Sequence, residues 1–142
     1  MITRRIAEKL LELTHSFPVI TIEGPRQSGK TTLTRMTFPD YAYANLEEYA
    51  TRTLAERDPR GFLLRFPAPA VIDEIQRVPQ LLNEIQAAVD ANGGNGQYVL
   101  TGSHQPRLKE GIAQSLAGRT ALLTLYPLSI AELADAGTSR PC

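Results

Sequence analysis

The stretch Gly24-Pro25-Arg26-Gln27-Ser28-Gly29-Lys30-Thr31 reads GPRQSGKT, a full G-x-x-x-x-G-K-[ST] pattern. It follows Val19-Ile20-Thr21-Ile22, an apolar, β-branched run preceded by Pro18. It leads into Lys30–Met36, which reads as a helix stopped by Phe38-Pro39. Strand, glycine-bounded loop and helix start is the order a phosphate site needs. Gly24 and Gly29 allow backbone approaches that a Cβ would block, so successive N–H groups can face one concavity. The helix N-terminus adds unpaired N–H groups and a positive dipole end. Gly24, Pro25, Arg26, Gln27, Ser28, Gly29, Lys30, Thr31 and Thr32 are therefore the expected nucleotide-binding residues. Lys30 would carry charge to the β- and γ-phosphates, and the Thr31 hydroxyl would sit on Mg²⁺. The competing reading, a glycine-rich turn before an ordinary helix, is opposed by the spacing and by a second motif.

That second motif is Val71-Ile72-Asp73-Glu74. Ala70-Val71-Ile72 is short and apolar at consecutive positions, as expected of a strand buried between helix layers. Asp73 at its carboxyl end can stand behind a metal. Glu74 can orient and polarise a water for in-line attack on a γ-phosphate. Two solvated acids at a strand end would be an equal reading in isolation; beside an intact phosphate loop the catalytic one is preferred. A glutamate suited to activating water also favours hydrolysis over transfer to a small acceptor.

The bulk numbers bound the rest. The chain has 142 residues, 42% hydrophobic, enough for one domain with a sizeable core. Fifteen basic and fifteen acidic residues cancel, so no global field recommends nucleic acid as a partner. The single cysteine, Cys142, excludes an internal disulfide framework and a cysteine-based zinc site. No apolar run approaches membrane-spanning length, and the N-terminus lacks a signal-peptide core. The cytoplasm is the simplest compartment.

Along the chain, Ile2, Ile6, Leu10 and Leu13 mark an amphipathic opening helix ending near His15-Ser16. Tyr41–Leu46 reads as a second strand, followed by a helix with Leu46, Ala50, Leu54 and Arg57 on one stripe. Asp58-Pro59 reads as an N-cap with proline at the first helical position. A helix opened by Pro79 and carrying Leu82, Ile85 and Val89 should close at Asn92-Gly93. Gln97–Thr101 is the next strand; a helix with Leu108, Ile112 and Leu116 ends at Gly118; Arg119–Leu125 is the fifth strand. Strands alternating with helices imply an α/β fold with a parallel sheet and ligands at the strands' carboxyl ends. Gly24–Thr31, Asp73-Glu74 and Thr101–Ser103 all fall at such ends.

The segments GPRQSGKTTL (24–33), YANLEE (43–48), VIDEIQRVPQL (71–81), YVLTGSHQ (98–105), SLAGRT (115–120) and LYPLSIAEL (125–133) occur in one order. On them the chain resembles prokaryotic AAA-type P-loop ATPases, from about Ile2 to Leu133. The resemblance implies a doubly wound, mostly parallel five-stranded sheet of order 5-1-4-3-2 with helices on both faces. It implies a polar sensor after the fourth strand, which Thr101 or Ser103 matches. In the same light, Arg119 is the best arginine for transition-state charge, within its own site or offered to a neighbouring copy. Residues 1–133 would be the ATPase core and 134–142 a loose tail. Family members usually continue into a lid and a C-terminal domain, so the chain is read as an N-terminal ATPase domain; a homo-oligomer or that further domain is the expected partner.

The leading function is Mg²⁺-dependent ATP binding and hydrolysis, with Lys30, Glu74, Ser103 and Arg119 in the catalytic role and Thr31 and Asp73 at the metal. ATP is preferred over GTP because no N-K-x-D-like segment is present. The runner-up is a nucleotide-binding regulatory module with little turnover. A small-molecule phosphotransferase is third, and Glu74 counts against it.

Overall fold

Five parallel strands carry the molecule: β1 (Val19–Glu23), β2 (Ala42–Asn45), β3 (Ala70–Asp73), β4 (Tyr98–Gly102) and β5 (Thr120–Thr124). The structure, a computed structural model, describes residues 2–24, 30–103 and 106–124. Strand order is β2-β3-β4-β1-β5, which read from the other edge is the expected 5-1-4-3-2. Among the described residues six helices connect or flank the strands: α1 (Ile2–Ser16), α2 (Lys30–Thr37), α3 (Tyr49–Arg57), α4 (Pro59–Arg65), α5 (Leu81–Asn92) and α6 (Pro106–Ser115). A single 3-10 turn, Ile75–Arg77, follows β3.

Period-two alternation sorts the strand residues into two cores. Ile20, Ile22, Val71 and Val99 face one side with Leu10 of α1 and Leu33 of α2. Val19, Ala70, Ile72, Tyr98 and Leu100 face the other, against Leu82 and Ile85 of α5 and Leu108 and Ile112 of α6. The sheet is thus covered on both faces, and its strands are apolar at successive positions for that reason.

The local stops act as the chemistry requires. The Asp58 Oδ1 accepts from the Gly61 N–H at 3.0 Å and caps α4, with Pro59 at the first helical position. Gly93 closes α5 at φ 71°, its N–H bonding the Val89 carbonyl, a left-handed conformation that costs glycine little.

One expected stripe differs. Leu46 and Leu54 point inward, but Ala50 and Arg57 are exposed, and the residue buried on α3 is Ala55. Leu46 precedes the helix: its N–H bonds the Asp73 carbonyl at 3.1 Å, extending the β2 pairing by one residue. Its burial is therefore a strand contribution with no place in a helical period. The 134–142 tail lies outside the described residues.

Candidate functional site

The parallel register brings the site together. Glu23 at the end of β1 is level with Gly102 at the end of β4, and the next residue, Gly24, donates its N–H to the Gly102 carbonyl at 3.1 Å. Val71 and Ile72 are level with Val99 and Leu100, so Asp73 falls beside Thr101. Asn45 of β2 is level with Asp73 on the other side. Alternation then puts Tyr43, Asp73 and Thr101 on the sheet face that α2 covers.

Asp73 is 1% exposed, and both of its oxygens are held by hydroxyls. The Thr101 hydroxyl donates to Oδ1 at 2.8 Å, and the Tyr43 hydroxyl donates to Oδ2. Each carboxylate oxygen keeps a second lone-pair direction. Burial, and then the Asp73 hydrogen bond and charge, push the Tyr43 phenol well above its ordinary pKa, so it stays a donor. The guanidinium of Arg35, on α2, lies 4.4 Å from the centre of the Tyr43 ring, a cation–π contact that fixes the ring from above.

Glu74 follows with φ 62° and ψ 50°, and is the one non-glycine at positive φ among the described residues. An L-residue there is strained, and the surroundings must over-determine it. They do. Its N–H donates to the Thr101 hydroxyl at 3.0 Å, and its Oε1 accepts from Gln76 Nε2 at 2.7 Å. The sharp turn carries the Glu74 carboxylate away from the line of β3. Thr101 therefore serves two neighbours at once, donating to Asp73 and accepting from Glu74. Its hydroxyl is committed and the residue is fully buried, whereas Ser103 stands half-buried just beyond β4.

On the loop side, Lys30 opens α2 and is 4% exposed; its ammonium donates to the Gly24 carbonyl at 2.8 Å, spanning the loop from its last residues to its first. Thr31 and Thr32 stand exposed on the first turn of α2. Pro25, Arg26, Gln27, Ser28 and Gly29 lie outside the described residues.

Arg119 is placed elsewhere. Its carbonyl accepts from the Val19 N–H at 3.1 Å, at the amino ends of the strands. The five residues of β5, about 16 Å of strand, separate it from the Glu74 end. Its guanidinium forms a two-point pair with Asp90 of α5, Nε to Oδ1 at 2.7 Å and a terminal nitrogen to Oδ2 at 3.1 Å. That hydrogen bond holds the Asp90 carboxyl below its usual range. The expectation of Arg119 acting on its own site is corrected: it stands before β5, at the opposite end of the parallel sheet from Glu74. Lys30, Asp73, Glu74 and Ser103 are brought to one end; Arg119 is not.

Three contributors escape a sequence reading. Tyr43 could have been found, since the alternation in Tyr43-Ala44-Asn45 puts it on one face with Asn45. Glu23 is an acid closing an apolar strand immediately before Gly24; it is fully buried, and its Oε1 accepts from the Thr124 hydroxyl at 3.1 Å. Gln76 gives no signal of its own. Arg77 beside it reaches Glu47 at 3.6 Å across the surface.

The donor chemistry suits Mg²⁺ more than a protein-caged metal. Among the described residues no cluster of three or more His, Cys, Asp or Glu could hold an ion alone. A threonine hydroxyl and one buried carboxylate are the hard oxygen donors that Mg²⁺ uses when phosphates complete its shell.

The comparisons with known proteins bear on the family and the fold. Two mycobacterial proteins, the uncharacterized protein Rv2008c of Mycobacterium tuberculosis and the uncharacterized protein Mb2031c of Mycobacterium bovis, are each 32% identical over 140 residues. The match covers 96% of this chain and 31% of theirs, so the chain spans about a third of these relatives. A crystal structure of a DNA replication initiation factor superposes with a TM-score of 0.56 at 16% identity, covering 94% of this chain and 50% of that one. At that identity the likeness speaks to the fold. No helix among the described residues is long and apolar enough to cross a membrane. Family and fold together support nucleotide binding. The model of the AAA domain family matches residues 16–134, and the chain belongs to that family as an AAA-type P-loop ATPase domain.

Proposed function

We propose that the chain binds ATP with Mg²⁺ and hydrolyses it, with Glu74 directing the attacking water. The observation that carries this reading is the Asp73–Thr101–Glu74 arrangement: two acids at one strand end, separated by a left-handed turn and braced by one shared hydroxyl. A solvated strand end needs none of this. Structural strain and buried carboxylates at the mouth of a phosphate loop are what a preorganised phosphoryl-transfer site requires.

The residues divide the work. Backbone N–H groups of Gly24–Thr31 hold the phosphates, and Lys30, already at the loop, places its charge among their oxygens. The Thr31 hydroxyl and the Asp73 carboxylate are the donors on the metal side. Bound Mg²⁺ supplies neutralisation of phosphate charge and polarisation of the γ-phosphate. Glu74, re-aimed by its backbone, orients a water and accepts its proton as the oxygen attacks the γ-phosphorus; the bond from that phosphorus to the β,γ-bridging oxygen breaks, and ADP leaves with the bonding pair. Ser103 stands at the end of the adjacent strand, where a hydroxyl can meet a γ-phosphate oxygen.

Glu74→Gln is the test. It keeps the length and the hydrogen-bonding shape and removes the basic carboxylate. Calorimetry should show ATP–Mg²⁺ affinity retained, and phosphate-release assays should show turnover lost. Hydrolysis at the parent rate would remove Glu74 from the chemistry.

A further inference from the structure

The side chain of Gln76 makes three contacts, to residues that directly follow two different strands. Its Nε2 donates to Glu74 Oε1 at 2.7 Å and reaches Ser103 Oγ at 3.4 Å. Its Oε1 accepts the backbone N–H of Ser103 at 3.1 Å. The orientation of the carboxamide is decided by its partners: a backbone N–H can only donate, so the oxygen must face it, and the NH₂ must then face the carboxylate. The surroundings make room for this bridge. A Cβ at Gly102 would lie 2.9 Å from Gln76 Oε1 and 2.5 Å from Leu108 Cδ2, so any larger residue there would displace the amide.

We propose that Gln76 is a positioning residue that ties the Glu74 carboxylate to Ser103, so that the water-directing group and the group facing the γ-phosphate are set as one unit. This rests on the reading of Glu74 and Ser103 given above. The contacts differ in a useful way. The 3.4 Å contact to the Ser103 hydroxyl is the weak one and can be exchanged for a ligand oxygen. The bonds to Glu74 and to the Ser103 N–H are the strong ones and persist when the hydroxyl turns away. Contact made by a γ-phosphate at the end of β4 is thereby transmitted to the rotamer of Glu74 at the end of β3. The shared Thr101 hydroxyl fixes the Glu74 backbone; Gln76 fixes its carboxylate.

Gln76→Met preserves side-chain length and removes all three polar contacts. In nucleotide-free protein, Glu74→Gln should shift the Ser103 backbone amide resonance, and the shift should shrink markedly when Gln76→Met is also present. The route through Thr101 exists in both backgrounds, so the difference reports Gln76 alone. Equal shifts in both backgrounds, or none in the parent, would overturn the coupling. In the enzyme assay, Gln76→Met should lower kcat on the order of 100-fold, as misplacement of a reacting group does, with the ATP dissociation constant unchanged. A loss of affinity with kcat preserved would overturn the positioning role. If the parent fails to bind ATP, the proposed function fails, and the resonance experiment still judges the bridge.

Discussion

At the amino ends of the strands, Tyr41 donates to the Gly96 carbonyl at 3.0 Å, Asn95 to the His15 carbonyl at 2.8 Å and Gln97 to the Gly94 carbonyl at 2.6 Å. At the carboxyl ends, Thr101 and Tyr43 donate to Asp73, Gln76 to Glu74 and Thr124 to Glu23. The first set ties loops shut by satisfying backbone carbonyls. The second spends hydroxyls and an amide on carboxylates that are themselves buried. Holding carboxylates out of water is expensive unless their lone pairs are met, and it adds nothing that an apolar contact would not add more cheaply. The two ends therefore differ in kind: one closes the fold, and the other holds buried carboxylates, as the proposed ATP site requires.

The largest expected effect on ligand affinity falls on the loop lysine. Lys30→Ala removes a nearly buried ammonium at the phosphate position and should weaken ATP–Mg²⁺ binding by at least about 2 kcal/mol, measured by calorimetry. No comparable loss should follow any substitution at the amino end; Asn95→Ala in particular should leave affinity untouched.

Thr101→Val should come next, and it tests stability more than binding. The valine fills the same space but leaves the buried Glu74 N–H and one Asp73 oxygen unmet, at about 1–3 kcal/mol for each orphaned group by urea unfolding. Asn95→Ala, which frees an exposed carbonyl to water, should cost about 1 kcal/mol or less. Equal costs at the two ends would erase the distinction drawn above.

The two tyrosines sharpen the comparison further. Burial raises the pKa of Tyr41, while at Tyr43 burial is joined by the Asp73 bond and charge. Folding keeps both phenols protonated, so their contribution to stability is complete below the unfolded pKa of about 10 and is lost as pH rises above it. Stability should therefore decline above about pH 10, and Tyr43→Phe should flatten that decline more than Tyr41→Phe does. The reverse order would mean that the Asp73 contact adds nothing to the hold on Tyr43.

The smallest effect is expected at Arg119. Its pair with Asp90 is exposed, and such pairs contribute little. Arg119→Ala should leave the melting temperature and ATP affinity nearly unchanged. A parent rate per subunit that rises with protein concentration, and an Arg119→Ala rate that does not, would instead assign this arginine to a neighbouring copy's site.

What could be read from the sequence was local. The Asp58 cap, the Gly93 stop and the strand-end placing of Gly24, Asp73 and Ser103 depend on residues a few positions apart, and short-range pattern carries them. Tyr43 and Thr101 meet Asp73, and Gln76 meets Ser103, across 27 to 30 residues of chain. Those meetings are decided by sheet register, which no window of sequence contains. Leu46 shows the same limit from the other side: its spacing fits a helical period, but its burial follows from pairing with β3. Arg119 suits the role by its chemistry alone, and only its place before β5 reveals that it stands at the wrong end.

The position of β1 has a consequence for how the protein assembles. Ala42 of β2 pairs with Ala70 of β3, and Ala70 pairs in turn with Tyr98 of β4. Val19, at the start of β1, pairs only with Tyr98 and Thr120. Among the five described strands, the one that leads into the phosphate loop is thus the first in chain order, yet its two hydrogen-bonding neighbours are the last two. Closing so long a stretch of chain costs entropy before any contact returns it, and such contacts slow folding. Until β4 exists, an emerging chain leaves Ile20 and Ile22 without the edge they need, and the order of synthesis sets when the nucleotide site can first form.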